Sequence, residues 1–167
     1  MNGFWERAEK DPRAGEIRDG DTRYVLFRTD VIATLIGGLD DTARKQALVA
    51  FADAVHTNGG LSLQRYFKML DGDIDALFGT LCRTAGELGW GAWRIDRSID
   101  SVVLDVQNSP FAIIWSVANE SVCAPILGMF RALAETVFDD APVTIAETGC
   151  AAPGAPLCTF RAECRQA

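Results

Sequence analysis

Three thiols and a carboxylate, Cys123, Glu147, Cys150 and Cys158, are the residues whose types and order could do coordination chemistry in this chain. The chain holds five cysteines, so placing Cys150 and Cys158 in the stretch from Glu147 to Cys158, with Cys123 upstream, is a concentration. Pro153, Gly154 and Pro156 lie between Cys150 and Cys158 and predict a tight connection that brings its ends together. Cys₃ plus one further residue is an ordinary ligand set for a tetrahedral thiophilic ion such as Zn²⁺. The same residues also read as three small buried side chains and a carboxylate turned to solvent at a strand end, because free Cys is among the most buried residue types.

These side chains need particular elements to bring them together. Pro125 is tolerated only where helix N–H groups lack partners, so a long helix must begin at about residues 122–124. Cys123 then sits at the positive end of the helix dipole, which favours a thiolate. Alternation puts Cys158, Phe160 and Ala162 on the inward face of a strand over 157–162. It puts Glu147 on the same face as Val143 and Ile145 of a strand over 143–147, where a carboxylate needs a cation or donors.

The remaining chain reads as a helical first half followed by strands. A short helix is predicted at 4–10, with Phe4 and Trp5 docking it on the body or on a second subunit. A polar loop through Pro12, Gly15 and Gly20 and a short strand at 23–27 come next. Asp30 is expected to cap a helix stopped by Gly37-Gly38. A second helix from Asp40 or Asp41 carries Leu48, Phe51, Ala52 and Val55 and should end at Asn58-Gly59-Gly60. A third covers 61–70, and Asp71-Gly72-Asp73 caps a fourth bearing Ile74, Leu77, Phe78, Leu81 and Leu88. A hairpin follows over 93–107, turning near Ser98 and Asp100. Asn108-Ser109-Pro110 opens a loop, and the long helix then precedes the last two strands. The fold class is α+β: a helical first half packed on an antiparallel four-stranded sheet, with a long helix between strand pairs. One domain over 1–167 is expected.

Composition excludes several functions. Net charge is −7 and sequence pI about 4.7, and Lys and Arg do not cluster, which argues against a nucleic-acid surface. The longest uncharged stretch, 106–119, is too short and too polar to span a membrane. The charged start does not read as a signal peptide, so thiols or metal ligands are expected in a cytoplasmic protein.

The pattern Cys123-x23-Glu147-x2-Cys150-x7-Cys158, with NSPFA at 108–112 and CAPILGMF at 123–130, resembles the 4-vinyl reductase domain family. The resemblance covers about 90–163, expected as the zinc-binding core. Family members include sensor domains of phenol- and xylene-responsive bacterial activators and a protein associated with bacteriochlorophyll biosynthesis. The fold is shared with vesicle-tethering subunits. The resemblance implies a zinc held by Cys123, Glu147, Cys150 and Cys158, with no open coordination position and therefore structural. It also departs from the family. Val106 stands where the aromatic sensors have a Trp, and His56 does not align with their His, so phenol sensing does not carry over. GELGWG at 86–91 lacks dinucleotide-binding spacing and closes a helix, which leaves the family's reductase name without a cofactor site.

Phe78, Trp90, Trp93, Phe111 and Trp115, together with Val106, are candidate walls of an apolar ligand pocket between helices and sheet; they also fit a core or a dimer contact. His56 reads as a surface or half-buried residue, Cys82 as core, and Cys164 as a terminal thiol. The expected function is binding of a small hydrophobic molecule, as a sensor or carrier and as a homodimer. The alternatives are a tetrapyrrole-pathway protein assisting or performing vinyl-group reduction, and an assembly module without ligand. Catalysis is not expected under the first reading.

Overall fold

The computed structural model describes residues 2–114, 121–139 and 141–164. The class is α+β. A short helix α1 (Phe4–Arg7) leads into a three-stranded antiparallel sheet of β1 (Glu9–Asp11), β2 (Glu16–Asp19) and β3 (Thr22–Tyr24). Helices α2 (Thr29–Gly37), α3 (Asp41–Met69) and α4 (Ile74–Glu87) follow. The hairpin β4 (Ala92–Arg97) and β5 (Ser101–Gln107) precedes a short α5 (Pro110–Ile114), the long α6 (Ala124–Val137), and β6 (Val143–Gly149) with β7 (Cys158–Cys164). The four-stranded sheet has the order β4-β5-β7-β6, antiparallel throughout.

Local chemistry sets most boundaries. Asp40 caps α3 by accepting from the Ala43 N–H at 2.9 Å, and Asp73 caps α4 by accepting from Asp75 and Ala76 at 3.0 Å. Gly89, at φ +76°, ends α4 in a left-handed cap closed by the Trp90 N–H donating to the Ala85 carbonyl at 2.8 Å. The core lies between α6 and the sheet, where Val102, Leu104, Ile126, Phe130 and Phe160 are fully buried. The Phe130 and Phe160 ring centroids are 6.0 Å apart.

Three local expectations are corrected. The helix from Asp41 does not stop at Asn58-Gly59-Gly60 but runs unbroken to Met69, so the expected second and third helices are one. These glycines serve close packing instead. A Cβ on Gly59 would lie 2.5 Å from Met129 Cε, and one on Gly128 would lie 2.1 Å from the Ala52 carbonyl oxygen. Helices α3 and α6 approach so closely that tertiary packing outweighs the local cost of glycine, about 1 kcal/mol per residue. The expected polar loop and short strand at the N-terminus form a folded sheet, with Val25–Phe27 outside β3. Asp30 lies in the first turn of α2 and pairs with Arg28, which occupies the cap position.

Candidate functional site

The four expected metal ligands converge. Cys123 is the N-cap of α6, with its carbonyl accepting from Ile126 and Leu127 at 2.9 and 3.0 Å. Glu147 sits on β6, where the side chains of Val143, Ile145 and Glu147 turn inward while their neighbours face solvent. A bulge between Glu147 and Gly149 shifts the register against β7 and brings Cys150 to the cluster. The connection to β7 is closed by Ala155 N–H donating to the Cys150 carbonyl at 3.0 Å, with Gly154 at φ +109°. Cys158, the first residue of β7, is thereby returned to the same point.

One ligand atom from each of Cys123, Glu147, Cys150 and Cys158 lies within 4.8 Å of the others. Cys123 Sγ is 3.4 Å from Cys158 Sγ and 4.0 Å from Cys150 Sγ. Two sulfurs bound to one tetrahedral zinc at ~2.3 Å each are about 3.8 Å apart, so the observed pair of separations brackets that value. Both are too long for a disulfide bond of ~2.05 Å, and none of the five cysteines is in one. The Ser109 Oγ lies 3.1 Å from Cys123 Sγ, and the Ala151 N–H donates to Cys158 Sγ at 3.4 Å.

The electrostatics point to a cation. Hydrogen bonding to Cys150 and Cys158, with burial, pushes the Cys123 thiol far up. The bonds from Cys123 and Cys150 pull the Cys158 thiol down. Thiols this close cannot all ionise unless a positive ion shares the site. Burial, aided by Cys150, pushes the Glu147 carboxyl up to about 9, and its Oε1 is buried without a hydrogen-bond partner. An orphaned carboxylate oxygen beside three thiols fits a metal ion, and the cluster could hold one.

A second feature lies between the helices and the N-terminal sheet. A cavity of ≈320 Å³, open on one side, is lined by α3, α4, β3, the Trp90–Trp93 segment and Met129 of α6. Its apolar wall includes Val55, Leu63, Leu81, Leu88, Trp90 and Trp93. The Trp93 indole N–H donates to the Trp90 carbonyl at 3.1 Å. Phe111 stacks edge-on against Trp90, with centroids 5.7 Å apart, and borders a neighbouring cavity of ≈290 Å³ together with Trp90. Phe78 and Val106 are buried in the core and line neither cavity. Trp115 falls outside the described residues. Tyr24, Ala54, Asn58 and Tyr66 also line the first cavity and carry no sequence signal of a pocket; Tyr66 reaches it because α3 is continuous and Tyr24 because the N-terminal sheet folds over it.

That sheet is held over the cavity by a buried ionic cluster. Arg7 pairs with Asp19 at 3.0 Å and Arg65 with Asp19 at 3.4 Å, while the Tyr66 hydroxyl donates to Asp19 Oδ2 at 3.0 Å. Burial alone would raise the Asp19 carboxyl, but the bonds from Arg7 and Tyr66 and the charges of Arg7 and Arg65 hold it below its ordinary value. Burial, with Tyr66 and Asp19 nearby, pushes the Tyr24 hydroxyl up to about 12. Phe4 is fully buried, and its N–H donates to the Glu87 carboxylate of α4, so this arm docks on the body of its own chain. His56 Nε2 lies 2.7 Å from Glu135, joining the middle of α3 to α6.

No protein-family profile and no curated protein matches this sequence. Solved structures do. The chain superposes on the phenol-responsive sensory domain of the transcription activator PoxR with a TM-score of 0.80 and 17% identity, covering 96% of this chain and 86% of that one. A vinyl-4-reductase family protein from Methanocaldococcus jannaschii gives 0.51 and 16%, covering 80% and 74%. The chain has the 4-vinyl-reductase-like fold. A trafficking protein particle complex subunit 3 from Naegleria fowleri, covalently bound to palmitic acid, gives 0.53 and 11%, covering 83% and 95%. At these identities the likeness is one of fold. Among the described residues, no helix is long and apolar enough to cross a membrane.

Proposed function

We propose that this chain is a ligand-binding domain, a sensor or carrier for a small hydrophobic molecule, stabilised by a structural zinc at Cys123, Glu147, Cys150 and Cys158. The observation that carries the ligand reading is the ≈320 Å³ cavity walled by apolar side chains, with no Asp, Glu, Lys, Arg or His among the residues that line it. Its size falls at the lower end of ligand sites. A phenol-responsive sensory domain with the same fold supports the reading. The absence of a lining cation and the modest volume favour a small neutral ligand over a tetrapyrrole bearing carboxylates.

The metal reading rests on the converging donors and the orphaned Glu147 oxygen. A bound zinc would neutralise the thiolates and carboxylate. With four protein ligands there is no open position, so its role is to pin β6 and β7 to the start of α6. We read the assembly as a homodimer, which sedimentation velocity would check.

The ligand reading is tested by thermal melts with a panel of neutral one- and two-ring compounds. A ligand that binds only the folded state raises Tm with concentration. Concentration-dependent increases for some members of the panel are expected. No increase for any member, at concentrations up to their solubility, would remove the reading.

A further inference from the structure

The four donors of the thiol cluster are not held alike. Cys123, Cys150 and Cys158 are buried, at 0%, 3% and 0% exposure. Each is seated in backbone that the fold fixes. Cys123 caps α6, the Cys150 carbonyl accepts from the Ala155 N–H at 3.0 Å, and Cys158 opens β7, an inner strand paired on both sides. Glu147 differs on each count. It is half-buried, it lies on β6 at the edge of the sheet, and the register shift against β7 begins at it. Its longer side chain has rotamer freedom that a cysteine lacks, so the carboxylate can leave the cluster without moving the backbone. Carboxylate oxygen is also the hardest of the four donors, and a thiophilic ion holds it less firmly than thiolate sulfur.

Glu147 also borders open space. With Ala124 and Leu127 of α6 and Lys45, Leu48 and Val49 of α3, it lines an open groove of ≈510 Å³ that none of the three cysteines borders. Ser121 and Arg131 line the same groove, Arg131 pairing with Asp53 at 2.7 Å. A carboxylate turned into this groove therefore meets polar and cationic groups as well as apolar wall, and its desolvation there is small.

We propose that Glu147 is the exchangeable ligand of the cluster, and that this groove is the path by which a thiophilic divalent cation enters and leaves the folded protein. The inference rests on the reading of the cluster as a zinc site. A small thiol or chelator arriving through the groove takes the coordination position as the Glu147 oxygen gives it up, while the three thiolates stay in place. Four buried thiolates would offer no such side. The metal content of the domain then follows the zinc and thiols around the folded chain and does not wait for unfolding.

The test follows zinc passing from the zinc-loaded full chain to the chromogenic chelator pyridylazoresorcinol, with circular dichroism reporting the fold. The transfer rate should rise in proportion to chelator concentration while the protein stays folded. Glu147→Gln should keep zinc on the three thiolates and release it at least about tenfold faster. Glu147→Cys supplies a fourth thiolate and should slow release by at least about tenfold. Val49→Trp fills the groove from a position of α3 that is 62% exposed, and should slow release severalfold with zinc content unchanged. A release rate independent of chelator concentration, or one that Glu147→Cys and Val49→Trp both leave unchanged, would overturn the exchange path and leave the zinc site standing. A chain that holds no zinc, as purified or after loading, would remove the zinc reading and this inference together.

Discussion

The thiol cluster and the cavity are built on opposite principles. At the cluster, four polar groups from the start of α6 and the β6–β7 hairpin meet at one point, and their charges oppose one another until a cation joins them. At the cavity, apolar walls from several elements border a space, and Tyr66, Asn58 and Trp93 on its rim spend donors within the protein. The first arrangement contributes to folding when filled. The second does not need filling to hold its shape. Under the proposed reading, one site would stabilise the fold and the other would take a ligand.

The largest expected effect breaks the first site alone. Cys150→Ser should lose the metal and destabilise the fold by about 3 kcal/mol or more, read by chemical denaturation alongside metal content. The fraction that remains folded should keep its affinity for apolar compounds, since Cys150 does not line the cavity. Gly128→Ala comes next: a Cβ there would press on the backbone of Ala52, and a loss of about 2–3 kcal/mol is expected by the same denaturation assay.

Asp19→Asn sharpens the contrast through pH. The native Asp19 carboxyl titrates below its unfolded value of roughly 4, so its contribution is present above that pH and disappears as pH falls through the native value. The variant should be about 2 kcal/mol less stable than wild type near pH 7, and the gap should close progressively toward pH 3, as followed by thermal melts across that range. A constant gap would mean that the cluster of Arg7, Arg65 and Tyr66 does not hold the N-terminal sheet through this charge. The smallest effect on stability is expected from Ala85→Leu, which places extra volume in the cavity. It should change folding by about 1 kcal/mol or less and reduce binding of two-ring compounds at least about tenfold, measured by dialysis.

The two regions also differ in how far the sequence alone showed them. The cluster could be read because each ligand carries a local signal. Pro125 fixes the helix start beside Cys123, alternation turns Glu147 and Cys158 inward, and the Pro-Gly-Ala-Pro turn returns Cys158 to Cys150. The sheet pairs and the caps at Asp40 and Asp73 were legible for the same reason. The cavity was only half legible. Trp90 and Trp93 stood out by residue type, but Tyr66 lies on the same helix as Ala54 and Asn58 only because α3 continues through Gly59-Gly60. That continuation is decided by the approach of α6, a contact between residues about seventy positions apart, which no local window contains.

The most direct test of the account is native mass spectrometry of the freshly purified chain, compared with its mass after denaturation. The account predicts a native excess of one zinc per chain, lost in Cys123→Ser and Cys150→Ser. Equal native and denatured masses, with Cys123, Cys150 and Cys158 open to thiol reagents in the folded protein, would contradict it.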